Sequence, residues 1–154
     1  MRWVWTATKW LVIGVALIGC SHGYAVTLRT SRLDAVDPVV IAQIGDAASA
    51  RGLATGMVAH RNDDSPDKSL TSSFHKQVSE RWHGNDAIEM NVIYSDQQSS
   101  DQWVVVFIEN FWSGMEPPIK QQIDALAADC YELLAKAFGP NKVTIETSPA
   151  QRPW

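Results

Sequence analysis

The sequence predicts an α+β domain, with two helices packed on one face of an antiparallel sheet, and three observations lead to it. Two segments, each opened by proline, carry apolar residues at helical spacing. Ile88, Met90, Val92 and Tyr94 alternate with other residues, Glu89 and Asn91 among them, as in a strand with one solvated face. Residues 103–108, Trp-Val-Val-Val-Phe-Ile, are apolar at every position, as in a strand covered on both faces.

Taken in order, Ala25 to Arg29 alternates well enough for a first strand, or serves as a tether. Asp37 then offers an N-cap and Pro38 a first helical residue. The helix they open presents Val40, Ile41, Ile44, Ala47 and Ala48 on one face, and Gly52 closes it. Leu53 to His60 reads as a strand, and residues 61–69, rich in Asp, Ser and Asn, as a solvated loop. Phe74, Val78 and Trp82 suit either a helix face or a strand. The turn residues 83–86 followed by the alternating run 88–94 favour a strand, hence a hairpin.

A polar turn at 95–101 leads into the wholly apolar run, which is expected at the centre of the sheet. Pro117-Pro118 opens the second helix, with Ile119, Ile123, Leu126, Cys130, Leu133, Leu134 and Ala137 on one side and Gly139-Pro140 as its stop. Val143 and Ile145 alternate with Thr144 and Glu146 in a last strand. This order fits a two-layer sandwich, and the nearest named topology is ferredoxin-like. The limits read from sequence are 1–19 for a signal, 20–34 for an N-terminal tether or first strand, 35–148 for the domain and 149–154 for a tail.

Residues 1–20 have the organisation of a secretory signal. Arg2 and Lys9 precede an uncharged run from Trp10 to Gly19, about half the ~20 residues that a spanning helix needs. Leu17-Ile18-Gly19-Cys20 at its end resembles the lipobox of bacterial lipoproteins. That resemblance covers the signal alone. It implies cleavage between Gly19 and Cys20, diacylglycerol on the Cys20 thiol, and acylation of the new amine. Two or three acyl chains hold a protein on a bilayer far more durably than one. Ser21, where the family's inner-membrane retention rule has Asp, implies the periplasmic face of an outer membrane. Two other readings compete: ordinary signal cleavage after Gly23-Tyr24-Ala25, giving a soluble periplasmic protein, and an uncleaved inner-membrane anchor with Trp3, Trp5 and Trp10 at the interface.

Without the signal the chain keeps 11 basic side chains (13 less Arg2 and Lys9) against 17 acidic, a formal charge of −6. No Lys or Arg cluster appears, which argues against a nucleic-acid partner. No metal or cofactor is expected either: His60 with Asp63 and Asp64, and the pair His75 and His83, lack ligand spacing, and the acidic run lacks the glycine and glutamate of a calcium loop. Ser113 has no nucleophile elbow around it, and Cys130 falls on an apolar helix face, where a thiol packs as a small hydrophobe. Glu80, Glu89 and Glu109 are placed to meet across strands, and a carboxylate pair is the one arrangement that would support hydrolysis.

What remains is surface. The sheet face away from the helices is expected to carry Ile93 and one triplet of the central strand, either Trp103, Val105 and Phe107 or Val104, Val106 and Ile108. Such a face is apolar enough to mark a partner site, with Trp82, Trp103 and Trp112 as anchors, unless the tail folds over it. The expected function is therefore a non-enzymatic binding or assembly module of the cell envelope. An immunity or inhibitor lipoprotein is a narrower form of this reading, and a small periplasmic hydrolase using the glutamates is the rival.

Overall fold

The computed structural model describes residues 23–60, 69–79, 86–96 and 101–149. Six strands, β1 (Tyr24–Thr30), β2 (Ala54–His60), β3 (Ser69–Ser79), β4 (Asp86–Ser95), β5 (Val104–Asn110) and β6 (Val143–Ser148), form one sheet in the order β2-β3-β4-β5-β1-β6. Every pairing is antiparallel. β2 to β5 form a meander of sequence neighbours, whereas β1 closes against β5 and β6, which follow it by most of the chain. Of the two readings offered for Ala25 to Arg29, strand or tether, the segment is a strand, and Tyr24–Thr30 belongs to the sheet. Four strands separate the two helices and β1 is antiparallel to both neighbours, so the order departs from the ferredoxin-like βαββαβ arrangement.

Helix α1 (Pro38–Ala50) starts where local chemistry dictates: the Asp37 carboxylate accepts a hydrogen bond from the Val39 amide at 2.9 Å, and Pro38 fills a position whose N–H is not required. Gly52, at φ 84°, turns the chain out of the helix. Val40, Ile44 and Ala48 are buried, and Ile41 packs beside them. Helix α2 (Pro117–Phe138) buries Ile123, Leu126, Ala127, Cys130 and Leu134, with Ile119 and Leu133 at the margin. Ala137, expected on the inner side, is exposed, while Leu134 and Phe138 on either side of it meet the core. Gly139, at φ 96°, ends α2, and a 3-10 turn (Pro140–Lys142) leads into β6.

The register separates the two sheet faces. Val26, Leu28, Val92, Met90, Ile88, Val104, Val106 and Ile108 share the face under the helices and are all buried. Phe74 extends that layer onto β3. The alternate residues Ile93, Trp103, Val105 and Phe107 lie on the opposite face and are half-buried. The central strand is therefore sealed on one side only, which corrects the expectation that its unbroken apolar run is covered on both. β6 is an edge strand of this sheet, and Ile145, although on the helix side, remains 52% exposed.

This division sets unequal costs. Ile108→Ala empties a fully buried site between β4 and β1 and is expected to lower stability by about 3 kcal/mol, against less than about 1 kcal/mol for Ile145→Ala at the exposed edge. Urea unfolding of the two variants measures the difference.

Candidate functional site

On the face that the helices leave bare, cross-strand pairing builds a row from His75 on β3 through Glu89 on β4 and Glu109 on β5 to Ala25 on β1. Glu89 and Glu109 are directly opposite each other, a separation at which like charges repel. Glu89 and His75 are exposed, whereas Glu109 is only 8% exposed. Among the described residues no side chain donates a hydrogen bond to the Glu109 carboxylate. Burial, and after it the charge of Glu89, pushes the Glu109 carboxyl up to about 7. Of the three glutamates singled out by sequence, two are brought together here, and Glu80 lies outside the described residues.

Beside this row stands the apolar part of the same face. Ile93 pairs directly with Val105, and Asn91 with Phe107. Asn91 Oδ1 in turn accepts a 2.7 Å hydrogen bond from Ser73 Oγ. Trp103 is held by three bonds to Ser95: its amide donates to Ser95 Oγ at 2.8 Å, and its carbonyl accepts from the Ser95 amide at 3.1 Å and from Ser95 Oγ at 3.3 Å. The triplet Trp103, Val105 and Phe107 therefore faces outward, and Val104, Val106 and Ile108 face the helices. Trp112 belongs to the loop after β5, where its amide donates to Asn110 Oδ1, and Trp82 lies outside the described residues.

The remaining nucleophile candidates are structural. Cys130 is fully buried in α2, and burial drives its thiol up to about 12, which suppresses the thiolate at neutral pH. Ser113 Oγ donates to both carboxylate oxygens of Asp86, at 2.9 and 2.8 Å, and Asn110 Nδ2 donates to Oδ1 at 2.8 Å. Asp86, Asn110 and Ser113 are all buried. The charged acceptor is thereby satisfied by neutral donors, with no histidine among these bonds to take a proton.

Sequence reasoning treated Asp86 only as a turn residue and missed this cluster, because aspartate is common in turns and its burial depends on where the loop after β5 returns. It also missed Tyr24, whose hydroxyl donates to Asp124 Oδ1 at 2.7 Å while Lys120 Nζ meets Oδ2 at 2.6 Å and sits 4.5 Å from the Tyr24 ring centre. Burial would raise the Asp124 carboxyl, but the bonds from Lys120 and Tyr24 outweigh it and hold the group below its ordinary value.

No group of three His, Cys, Asp or Glu side chains among the described residues could hold a metal ion. Asp63, Asp64 and His83 lie outside them, as does the side chain of His60. Two cavities lie on the helix side, away from the carboxylate pair. One, of about 350 Å³, runs between α2 and β6 past Tyr131 and Ile145. The other, of about 240 Å³, lies between the end of α1, α2 and β3, where Lys76 Nζ donates to the Arg51 carbonyl and to Gln122 Oε1. No protein-family model and no curated protein matches the chain.

The raised Glu109 carboxyl gives a signed pH dependence. Its folded value lies above its ordinary 4.5, so the folded state holds the proton more tightly than the unfolded chain. Stability then falls as pH rises from about 4.5 to about 7 and levels off above that. Glu109→Gln is expected to remove this slope and to gain on the order of 2 kcal/mol at pH 8, as read by urea titrations at several pH values.

Proposed function

We propose that the chain is a lipid-anchored cell-envelope protein, held by acyl groups on Cys20 at the periplasmic face of the outer membrane, whose folded domain binds another envelope protein. Support for the anchor comes from the signal and lipobox pattern at residues 1–20. No helix among the described residues is long and apolar enough to cross a membrane. The single observation that carries the binding reading is the sheet face away from the helices; the tail residues 150–154, the alternative cover offered by the sequence, lie outside the described residues. Ile93, Trp103, Val105 and Phe107 form a contiguous half-buried apolar patch across β4 and β5, bordered by Glu89 and Asn91. An apolar centre with a polar margin is the anatomy of a protein interface. Nucleic acid is disfavoured by the acidic charge and the lack of a basic stripe.

The hydrolase reading is favoured by one feature. Glu109, raised to about 7 beside Glu89, has the protonation behaviour of a general acid paired with a carboxylate base. Its weakness is shape, since both side chains lie on a sheet face, and the cavities described above lie on the other side of the sheet.

One set of variants tests the binding reading against its rival. A photocrosslinking residue at Val105 is expected to give a discrete adduct in cells, and Phe107→Glu to abolish it without lowering the melting temperature. Glu89→Gln with Glu109→Gln is expected to leave the phenotype of the protein intact. Loss of that phenotype together with an unchanged adduct would favour hydrolysis instead. The anchor is tested by mass spectrometry of the native product, with Cys20→Ala expected to lose the acyl mass.

A further inference from the structure

Resting on the lipid anchor proposed above, the position of β1 carries a consequence for how the domain stands on the membrane. Only Ser21, His22 and Gly23 separate Cys20 from Tyr24, the first residue of β1, and four fully extended residues span at most about 14 Å. Tyr24 pairs with Asn110, and Ala25 with Ser148, so the tether cannot lengthen without unpairing β1 from both neighbours. An acylated Cys20 therefore keeps one particular end of the sheet close to the lipid headgroups. That end contains the start of β1, the start of β4, the ends of β5 and β6, and the first turn of α2.

The 111–115 loop occupies this end and is fixed to the anchor-bearing strand. A Cβ added at Gly114 would lie 2.6 Å from the Tyr24 amide nitrogen and 2.5 Å from the Asn110 carbonyl oxygen, so the loop backbone packs directly on the first residue of β1. The buried cluster then sets the shape of the loop. Asn110 Oδ1 accepts from the amides of Trp112 and Ser113 at 3.0 and 2.8 Å, while Asp86 accepts from the Ser113 hydroxyl. With the polar groups of Asn110 and Ser113 turned inward, the loop offers Phe111, half-buried, and Met115, 50% exposed. No charged side chain occurs from Asn110 to Met115.

We propose that the 111–115 loop is a membrane-contact surface, with Phe111 and Met115 seated in the headgroup layer beside the acylated Cys20. An uncharged loop carrying aromatic and thioether side chains suits the interface of a bilayer, where amphipathic rings collect. The domain then stands with its strands rising from the membrane. The opposite end, where α1 begins and Val39 is 59% exposed, points into the periplasm. The sheet face away from the helices is then turned to the side, toward a partner on the same membrane.

The test uses the full-length acylated protein bearing Met115→Cys, Phe111→Cys or Val39→Cys, labelled with an environment-sensitive nitrobenzoxadiazole dye. It is reconstituted on vesicles of phosphatidylethanolamine and phosphatidylglycerol containing a doxyl-labelled lipid. Cys130 is buried and an acylated Cys20 has no free thiol, so the dye reports the introduced site. Expected are a blue shift and quenching at positions 115 and 111, and a water-like spectrum at 39. Protein that floats with the vesicles but stays water-like at 115 and 111, or shifts equally at 39, overturns the membrane contact and leaves the anchor standing. Unmodified protein that takes the dye at Cys20 removes the anchor, and the membrane contact with it.

Discussion

The insertion of β1 between β5 and β6 is the constraint on which the rest of this molecule depends, because it joins residues that are some 80 and 120 positions apart. Leu28 lies between Val106 and Ile145, and Val26 between Ile108 and Thr147. With β1 absent, β5 would become an edge strand and β6 would have no partner in the sheet. α2 would also lose Val26 and Leu28 from the surface it covers. The meander from β2 to β5 pairs locally, but its layer is completed only by this early strand. Such pairing must repay a large loop-closure entropy, and the fully buried aliphatic side chains around Leu28 are what repay it.

The same pairing decides the electrostatics of the bare face. Glu109 has Glu89 on one side and Ala25 on the other, so one neighbour is a carboxylate and the other offers no side-chain donor to a group that burial already desolvates. A carboxyl so placed resists ionisation. Asp86 is more deeply buried still, yet its carboxyl oxygens accept three hydrogen-bond contacts, two from Ser113 Oγ and one from Asn110 Nδ2. The two acids differ in their hydrogen bonds: Ser113 and Asn110 donate to Asp86, and no described side chain donates to Glu109. Asp86 organises the chain around it, and Glu109 is carried at a cost by the strands that hold it.

Burial is likewise asymmetric between the two sheet faces. Beneath the helices, interlocking Val, Ile, Leu and Met side chains exclude solvent almost completely. On the other face the residues of β5 are as apolar in sequence, yet they are left half-covered. Helix α2 buries its Ile123, Leu126, Cys130 and Leu134 stripe and packs against β1, β5 and β6, yet Ile145 of β6 remains exposed and a groove lies beside Tyr131. The architecture thus has one sealed core and two apolar margins.

Local rules were enough to read most elements. Asp37-Pro38, Gly52, Pro117-Pro118 and Gly139 mark the helix limits because capping and φ preferences act over a few residues. Alternation marks β4 because the side-chain period of a strand is intrinsic to it. The glutamate pair was half legible, since β-hairpin periodicity suggested that Glu89 and Glu109 would share a face. Their direct opposition and the burial of only one of them were not, as both depend on register. Ala25 to Arg29 could be read as strand or tether, because five residues do not encode which distant strands will receive them. The outward choice of Trp103, Val105 and Phe107 was equally hidden: a run apolar at every position has no phase. The helices with their limits and the later strands were legible in the order of the residues, through interactions spanning a turn or a pleat. Only the tertiary structure decided strand order, the exposed face and the deep burial of Asp86, because those follow from contacts between residues far apart in the chain.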